Sequence, residues 1–234
     1  MQNYQNTDYS GLKELIDIEV MQNYNKSIVN NAICEIGLPL KFMDFGSGIG
    51  TLDLIFRQRY NLNPICIEID SANCNYLKKR GFKYMNSLKE AGFEYDVIFS
   101  SNVLEHIQED TKILSEMKDH LKSKGLIYLY LPAFMSLWSE IDKQVGHYRR
   151  YNIADLKEKC KKSGYKVIKI HYADCLGFFI TLLWKLKNNN NKNKFASRNS
   201  LKIYDKYIFP ISNFLDNLGF KFLFGKNIVL LAQK

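Results

Sequence analysis

Chemistry enters this sequence first at an acid followed by glycines. Asp44 stands among the apolar Phe42, Met43 and Phe45. Gly46, Ser47, Gly48, Ile49 and Gly50 follow before an apolar-periodic run begins. Glycines let a backbone approach a ligand closely and take dihedrals that a Cβ forbids. A helix starting behind them offers unpaired N–H groups and the positive end of its dipole. The dinucleotide fingerprint would place its third glycine where Thr51 stands. A carboxylate ahead of the loop repels a pyrophosphate but accepts hydrogen bonds from an ammonium group. A cofactor with an amino-acid end therefore fits this loop better, and S-adenosylmethionine has one. Glu68 lies 18 residues beyond Gly50. In nucleotide-binding α/β folds an acid there accepts from the ribose hydroxyls. Asp70 is its rival, although Asp70 also suits a helix N-cap. Ile69, Asn86, Ser87 and Asn102 complete the residues expected around the cofactor.

A second set surrounds two histidines. His106 lies in the run SNVLEHIQED, and His147 in PAFMSLWSEIDKQVGHYRRY, residues 132–151. An imidazole titrates near neutral pH and can take a hydroxyl proton. His147 is the expected general base; His106 is its competitor, or a residue that holds its loop. The planar guanidiniums of Arg149 and Arg150 suit an anionic acceptor group. Tyr148 and Tyr151 could flank a ring, and Trp138 joins the same acceptor set. The competing reading makes 147–151 an ion-pair cluster beside Asp142 and Asp155. No metal-ligand pattern is visible, and no metal is expected: the five cysteines lie far apart and form no C-x-x-C pair.

These residues need elements to position them. Phe42 to Phe45 reads as a buried strand and Leu52 to Tyr60 as the helix behind the glycines. PICIEI at 64–69 is a second strand, and Ser71 to Arg80 a helix. Gly81 to Asn86 is a short third strand and YDVIFS at 95–100 a fourth. An amphipathic helix then runs to Leu121, and GLIYLYL at 125–131 is a fifth strand stopped by Pro132. Asn152 caps a helix to Ser163; Tyr165 to Tyr172 and Lys226 to Gln233 are the last strands. Upstream, residues 10–36 carry the spacing of one or two amphipathic helices. Alternation of strands and helices implies a parallel sheet covered on both faces, with ligands beyond the carboxyl ends of the strands. Asp44, Glu68, Asn86 and Asn102 all fall on that edge.

The chain has 234 residues and a formal net charge of +9. Residues 185–234 hold ten Lys or Arg against two Asp. That excess favours anionic partners: a phosphorylated substrate, an acidic membrane surface or nucleic acid. The start of the chain is polar, without a signal-peptide core, and no apolar run is long enough to span a bilayer. The expected location is the cytoplasm, with peripheral contact to the inner face of the membrane.

With these residues in place, the chain resembles the class I S-adenosylmethionine-dependent methyltransferases, and within them the broad group that includes quinone- and glycan-pathway enzymes. DFGSGIGTLDL is similar to the family's first motif, CIEID to its second, YDVIFSSNVLEHI to its fourth, and LKSKGLIYLYLP to the fifth strand and its preceding turn. The resemblance implies a Rossmann-like seven-stranded sheet with helices on both faces, ending in an antiparallel hairpin of its last two strands. Between those strands lies an unusually long insertion. The resulting division of one methyltransferase domain is a helical lid (1–40), a core (41–172), a helical cap (173–225) and the last strand (226–234). Within the cap, the Asn/Lys tract at 188–194 is expected to be a mobile linker and 199–217 an aromatic helix. The implied activity is methyl transfer to a small acceptor, phosphorylated or lipid-linked. O-methylation of a sugar or sugar nucleotide of a surface glycan leads, with a quinone- or lipid-type acceptor as the alternative. A SAM-binding protein without transferase activity is the rival from another class. A nucleic-acid methyltransferase ranks low, because SNVLEH replaces the N/D-P-P-Y/F run of base methylation.

Overall fold

In the computed structural model, residues 11–187 and 196–234 are described. Seven strands form one sheet: β1 (Phe42–Phe45), β2 (Ile65–Ile67), β3 (Tyr84–Met85), β4 (Tyr95–Ser101), β5 (Leu121–Pro132), β6 (Lys166–Ala173) and β7 (Asn227–Gln233). Their order is β3-β2-β1-β4-β5-β7-β6. The first five run parallel; β7 is antiparallel to both β5 and β6.

The strands are apolar on both faces because both are covered. Met43, Ile98, Ile127, Leu129 and Leu230 point to one core. There they meet Leu114 and Met117 of α5 (Asp110–His120) and Leu156 of α7 (Ile153–Lys162). Phe42, Phe99, Tyr128 and Leu231 point to the other. That face is closed by α2 (Gln22–Ile36) and α3 (Thr51–Tyr60), with Phe42, Phe56 and Phe99 packed edge to face. Helix α4 (Ser71–Lys79) is capped by Asp70, whose side chain accepts from Asn73 N. The short α1 (Leu12–Ile18) precedes α2, and α6 (Glu140–Gln144) follows β5.

Boundaries shift where neighbours decide them. The strand expected over 125–131 starts at Leu121, because Tyr95 pairs with Leu121 across a register shift. The third strand shrinks to two residues at the sheet edge. Between β6 and β7 lie α8 (Cys175–Lys187), α9 (Arg198–Ile203) and α10 (Phe209–Asn217). The helix expected over 199–217 is interrupted by a π-helical turn at Tyr204–Ile208, just before Pro210. Proline lacks the N–H that would continue the α ladder, and a wider turn absorbs the mismatch. The tract at 188–194 lies outside the described residues.

A buried polar hub ties this insertion to the sheet. Asp174 accepts from Tyr204 Oη (2.5 Å), Ser212 Oγ (2.8 Å) and Gly177 N (3.1 Å). Asp205 accepts from Asn23 N (3.0 Å) and Tyr24 N (2.8 Å), so it caps α2 from the far side of the chain. Replacing Asp174 by Ala strands three buried donors, each costing about 1–3 kcal/mol. Urea unfolding of Asp174→Ala should show a loss of at least about 3 kcal/mol.

Candidate active site

The glycine loop turns back on the sheet after β1. Gly46 N and Ser47 N both donate to Ile67 O, at 2.8 and 3.2 Å, and Gly50 N donates to Ser47 O. Gly46, with φ of +81°, has no room for a side chain: a Cβ there would overlap the γ carbons of Val103. Leu15 of α1 lies against Gly48, and Glu19 reaches Thr51 Oγ1 (3.2 Å) and Arg80 (2.8 Å). The N-terminal helix therefore rests on the loop.

Carboxyl groups are concentrated beneath it. Asp44 is 3% exposed, Asp53 0% and Glu68 8%. Asp44 Oδ1 and both oxygens of Asp53 have no hydrogen-bond partner. Burial, reinforced by Asp53 and Glu68, pushes the Asp44 carboxyl well above its usual range; burial takes Asp53 up to about 7. This environment suits a cation, and an amino-acid ammonium is one. Glu68 accepts from Gly48 N (2.7 Å) and Asp70 N (2.8 Å), which braces the loop and leaves lone pairs for ribose hydroxyls. Asp70 is committed to its cap. Asn86 Nδ2 donates to Glu68 O (3.0 Å), Ser87 Oγ donates to Glu90 (2.9 Å), and Ile69 is exposed beside them. Asn102, in the left-handed region at φ +54°, closes β4 by donating from its N–H to Tyr130 O (2.7 Å). The donors and acceptors thus fit S-adenosylmethionine. Asp53 is absent from the sequence reading; an acid within the buried face of a helix, in TLDL, was the available signal.

At the carboxyl ends of β4 and β5 the two histidines meet. Their rings stand edge to face at 4.5 Å. His147 Nδ1 is 2.9 Å from Asp142 Oδ1, and its Nε2 is 3.8 Å from Glu105 Oε1. Glu105 is fully buried and neither of its oxygens has a partner. Burial pushes its pKa up to about 8. Burial and the neighbouring His147 bring His106 down to about 4.

The sequence points to Arg149 and Arg150 as holders of an anionic acceptor, but both guanidiniums are taken. Arg150 Nε donates to Asp142 Oδ1 (2.8 Å) and its second nitrogen to Oδ2 (3.2 Å). Arg149 pairs with Asp110 (2.6 Å), which also binds Lys159 (2.8 Å) and Tyr151 Oη (2.9 Å). Tyr151 is 1% exposed, so its ring faces no ligand. Tyr148 is 54% exposed, and Trp138 is partly exposed. Asp142 is the partner foreseen for the run; Asp155 instead binds Asn152 at a helix start. Lys226, just before β7, was also missed. It sits among the charges of Asp174, Arg150 and Asp142, and burial lowers its pKa.

Two outcomes are expected. Calorimetry of Glu68→Ala should show S-adenosylmethionine binding weakened by about 1–3 kcal/mol; an unchanged affinity would pass the ribose to Asp70. Asp142→Asn should cost about 3–5 kcal/mol of stability, because it leaves Arg150 buried without its partner. Burial alone would raise the Asp142 pKa, yet His147 and Arg150 hold it well below the usual range. The stabilisation is therefore present above about pH 4 and lost as pH falls further. Melting curves across pH should show the wild type losing this advantage and Asp142→Asn lacking it.

The comparisons agree with this fold. The model of a methyltransferase domain family matches residues 19–170. No curated protein sequence matches the chain. A SAM-dependent methyltransferase from Archaeoglobus fulgidus is 18% identical with a TM-score of 0.59, covering 89% of this chain and 92% of that one. A cyclopropane synthase from Mycobacterium tuberculosis is 14% identical, TM-score 0.59, with 89% and 83% covered. Phosphoethanolamine N-methyltransferase 2 of Haemonchus contortus, in complex with S-adenosyl-L-methionine, is 22% identical, TM-score 0.53, with 87% of this chain covered. This chain spans about half of that protein, 51% of its length. By its family match, its strand order and its glycine loop, the chain belongs to the methyltransferase domain family and is a class I S-adenosylmethionine-dependent methyltransferase.

Proposed function

We propose that the acceptor is an amphiphilic molecule with an anionic head group, carried on a lipid and methylated at an anionic membrane surface. The observation that supports this is the outer face of the helices between β6 and β7. Phe179, Leu183 and Leu186 form an exposed stripe on α8. Ile203, Tyr207, Ile211, Phe214 and Leu218 form another from α9 to α10, and α8 packs against α10. Rows of exposed large apolar side chains such as these mark sites of interaction. Arg198, Lys202, Lys206 and Lys221 lie on the same segment, as in helices that settle on acidic lipid. No described helix is long and apolar enough to cross a membrane. A sugar or sugar nucleotide joined to lipid satisfies both acceptor classes expected from the sequence. Two of the neighbours are named as a phosphoethanolamine N-methyltransferase and a cyclopropane synthase; neither name speaks for a sugar.

In this reading Asp44 and Asp53 hold the ammonium of the cofactor, and Glu68 holds its ribose. Bound there, S-adenosylmethionine supplies an electrophilic methyl group. The protein's work is to align the acceptor and manage its proton. Phe134, stacked on Tyr172 at 4.6 Å and edge-on to Phe178 at 5.3 Å, gives an apolar wall at the end of β5. Lys226 takes the anionic group in place of the engaged arginines. Glu105, His106 and His147 are the activating cluster.

S-adenosylhomocysteine release should favour lipid-linked sugar phosphates over their water-soluble head groups. His106→Ala and His147→Ala should each lower kcat by ~10²-fold with cofactor affinity unchanged. Lys226→Ala should chiefly raise the acceptor KM. Vesicles rich in phosphatidylglycerol should sediment the protein, and a double Leu183→Glu, Phe214→Glu variant should stay in solution. Equal turnover of soluble and lipid-linked acceptors, without vesicle binding, would return the reading to a soluble glycan precursor.

A further inference from the structure

We propose that Glu105, His106 and His147 bind a divalent first-row transition metal, zinc foremost. One ligand atom from each side chain lies within 4.8 Å of the others. Glu105 Oε1 stands 3.8 Å from His147 Nε2. Zinc bonds of about 2.0–2.2 Å to nitrogen and oxygen require ligand atoms about 3–3.5 Å apart. Small rotations of three side chains close that difference.

Glu105 supplies the independent reason to expect a cation. It is fully buried, and neither carboxylate oxygen has a hydrogen-bond partner. A carboxylate taken out of water without a counter-charge or donors is costly. The neighbouring guanidinium of Arg150 attracts it without a hydrogen bond, since its Nε and a terminal nitrogen are turned to Asp142. A side-chain nitrogen that faces Glu105 directly is the imidazole Nε2 of His147, a metal donor.

The surroundings are those of a metal-binding histidine. His147 Nδ1 meets the Asp142 carboxylate at 2.9 Å. A ligating histidine commonly donates its second N–H to a carboxylate, which fixes the tautomer and leaves the other nitrogen for the ion. Here that other nitrogen is the one facing Glu105. His106 is oriented by backbone groups at Val145 and Gly146. Tyr148 N donates to Glu105 O (2.7 Å) and His147 N to Asp142 O (2.8 Å), so the two donor-bearing segments are already joined. Two imidazoles and one carboxylate suit zinc, iron, cobalt or manganese better than magnesium or calcium, which prefer oxygen. Three protein ligands also leave a coordination position open, as catalytic sites do. In the proposed function, that position takes the acceptor's nucleophilic atom; the metal site itself does not depend on that reading.

Metal binding is measured without any acceptor, so its failure is separable from failure of the proposed function. Full-length protein is dialysed against chelator, then titrated with zinc chloride by calorimetry, and with cobalt chloride while its visible spectrum is recorded. About one zinc per chain is expected, with a higher melting temperature and tetrahedral-type cobalt bands. Glu105→Gln and His147→Gln should each weaken zinc binding at least about 10-fold, the effect reached even by outer partners of a metal site. Should one variant fail to fold, the other and the wild-type titration still decide. Absence of stoichiometric binding in the wild type overturns the site. So does equal zinc affinity in wild type and Glu105→Gln, which would assign the buried carboxyl a proton instead of a metal.

Discussion

The structure depends on how it deals with carboxylates removed from water. The chain is basic overall, yet among the described residues nine acids are buried: Asp44, Asp53, Glu68, Glu105, Asp110, Asp142, Asp174, Asp205 and Asp216. An unpaired buried charge costs more than most single packing interactions return, so each must be met by a cation, by donors or by a proton. Sorting the nine by what meets them separates framework from site.

Four are met by the framework's own cations or helix starts. Asp110 joins Arg149 and Lys159, and Asp142 joins Arg150 and His147. Asp110 fastens the segment after β5 to the segment after β4, and Asp142 folds the former on itself. Asp205 accepts the first free N–H groups of α2, and Asp216 those at the start of α8. Asp174 is met by hydroxyls instead, and through Tyr204 and Ser212 it anchors the insertion to the sheet. Glu68 stands between the classes: two backbone donors brace it, and it still faces the loop.

The remaining three, Asp44, Asp53 and Glu105, have oxygens with no protein partner. All belong to the carboxyl-end edge of the sheet, where the parallel topology places its ligands. The folded chain thus holds buried carboxyls without hydrogen-bond partners in two places, under the glycine loop and beside the histidine pair. Each is suited to a positive group: the ammonium of the cofactor in one, a metal ion in the other.

The sequence alone determined what local chemistry encodes. Apolar runs of strand length, Gly46, Gly48 and Gly50, and the acids Asp44 and Glu68 are contiguous signals, and they were enough for the sheet, the cofactor and its loop. Asp70 and Asn152 were readable as caps because a cap reaches only three residues ahead. Pairing across distance was not readable. Asp142 lies 37 residues from Glu105, and only the closure of the loops beyond β4 and β5 puts His147 between them. The same closure turned Arg149 and Arg150 away from solvent, and a single sequence carries no sign of which carboxylate each will meet. Asp53 looked like an ordinary helical residue until tertiary packing buried it against Asp44. Side-chain burial is a property of neighbours brought in from elsewhere in the chain, so which charges are met, and which are left for a ligand, was decided by the fold.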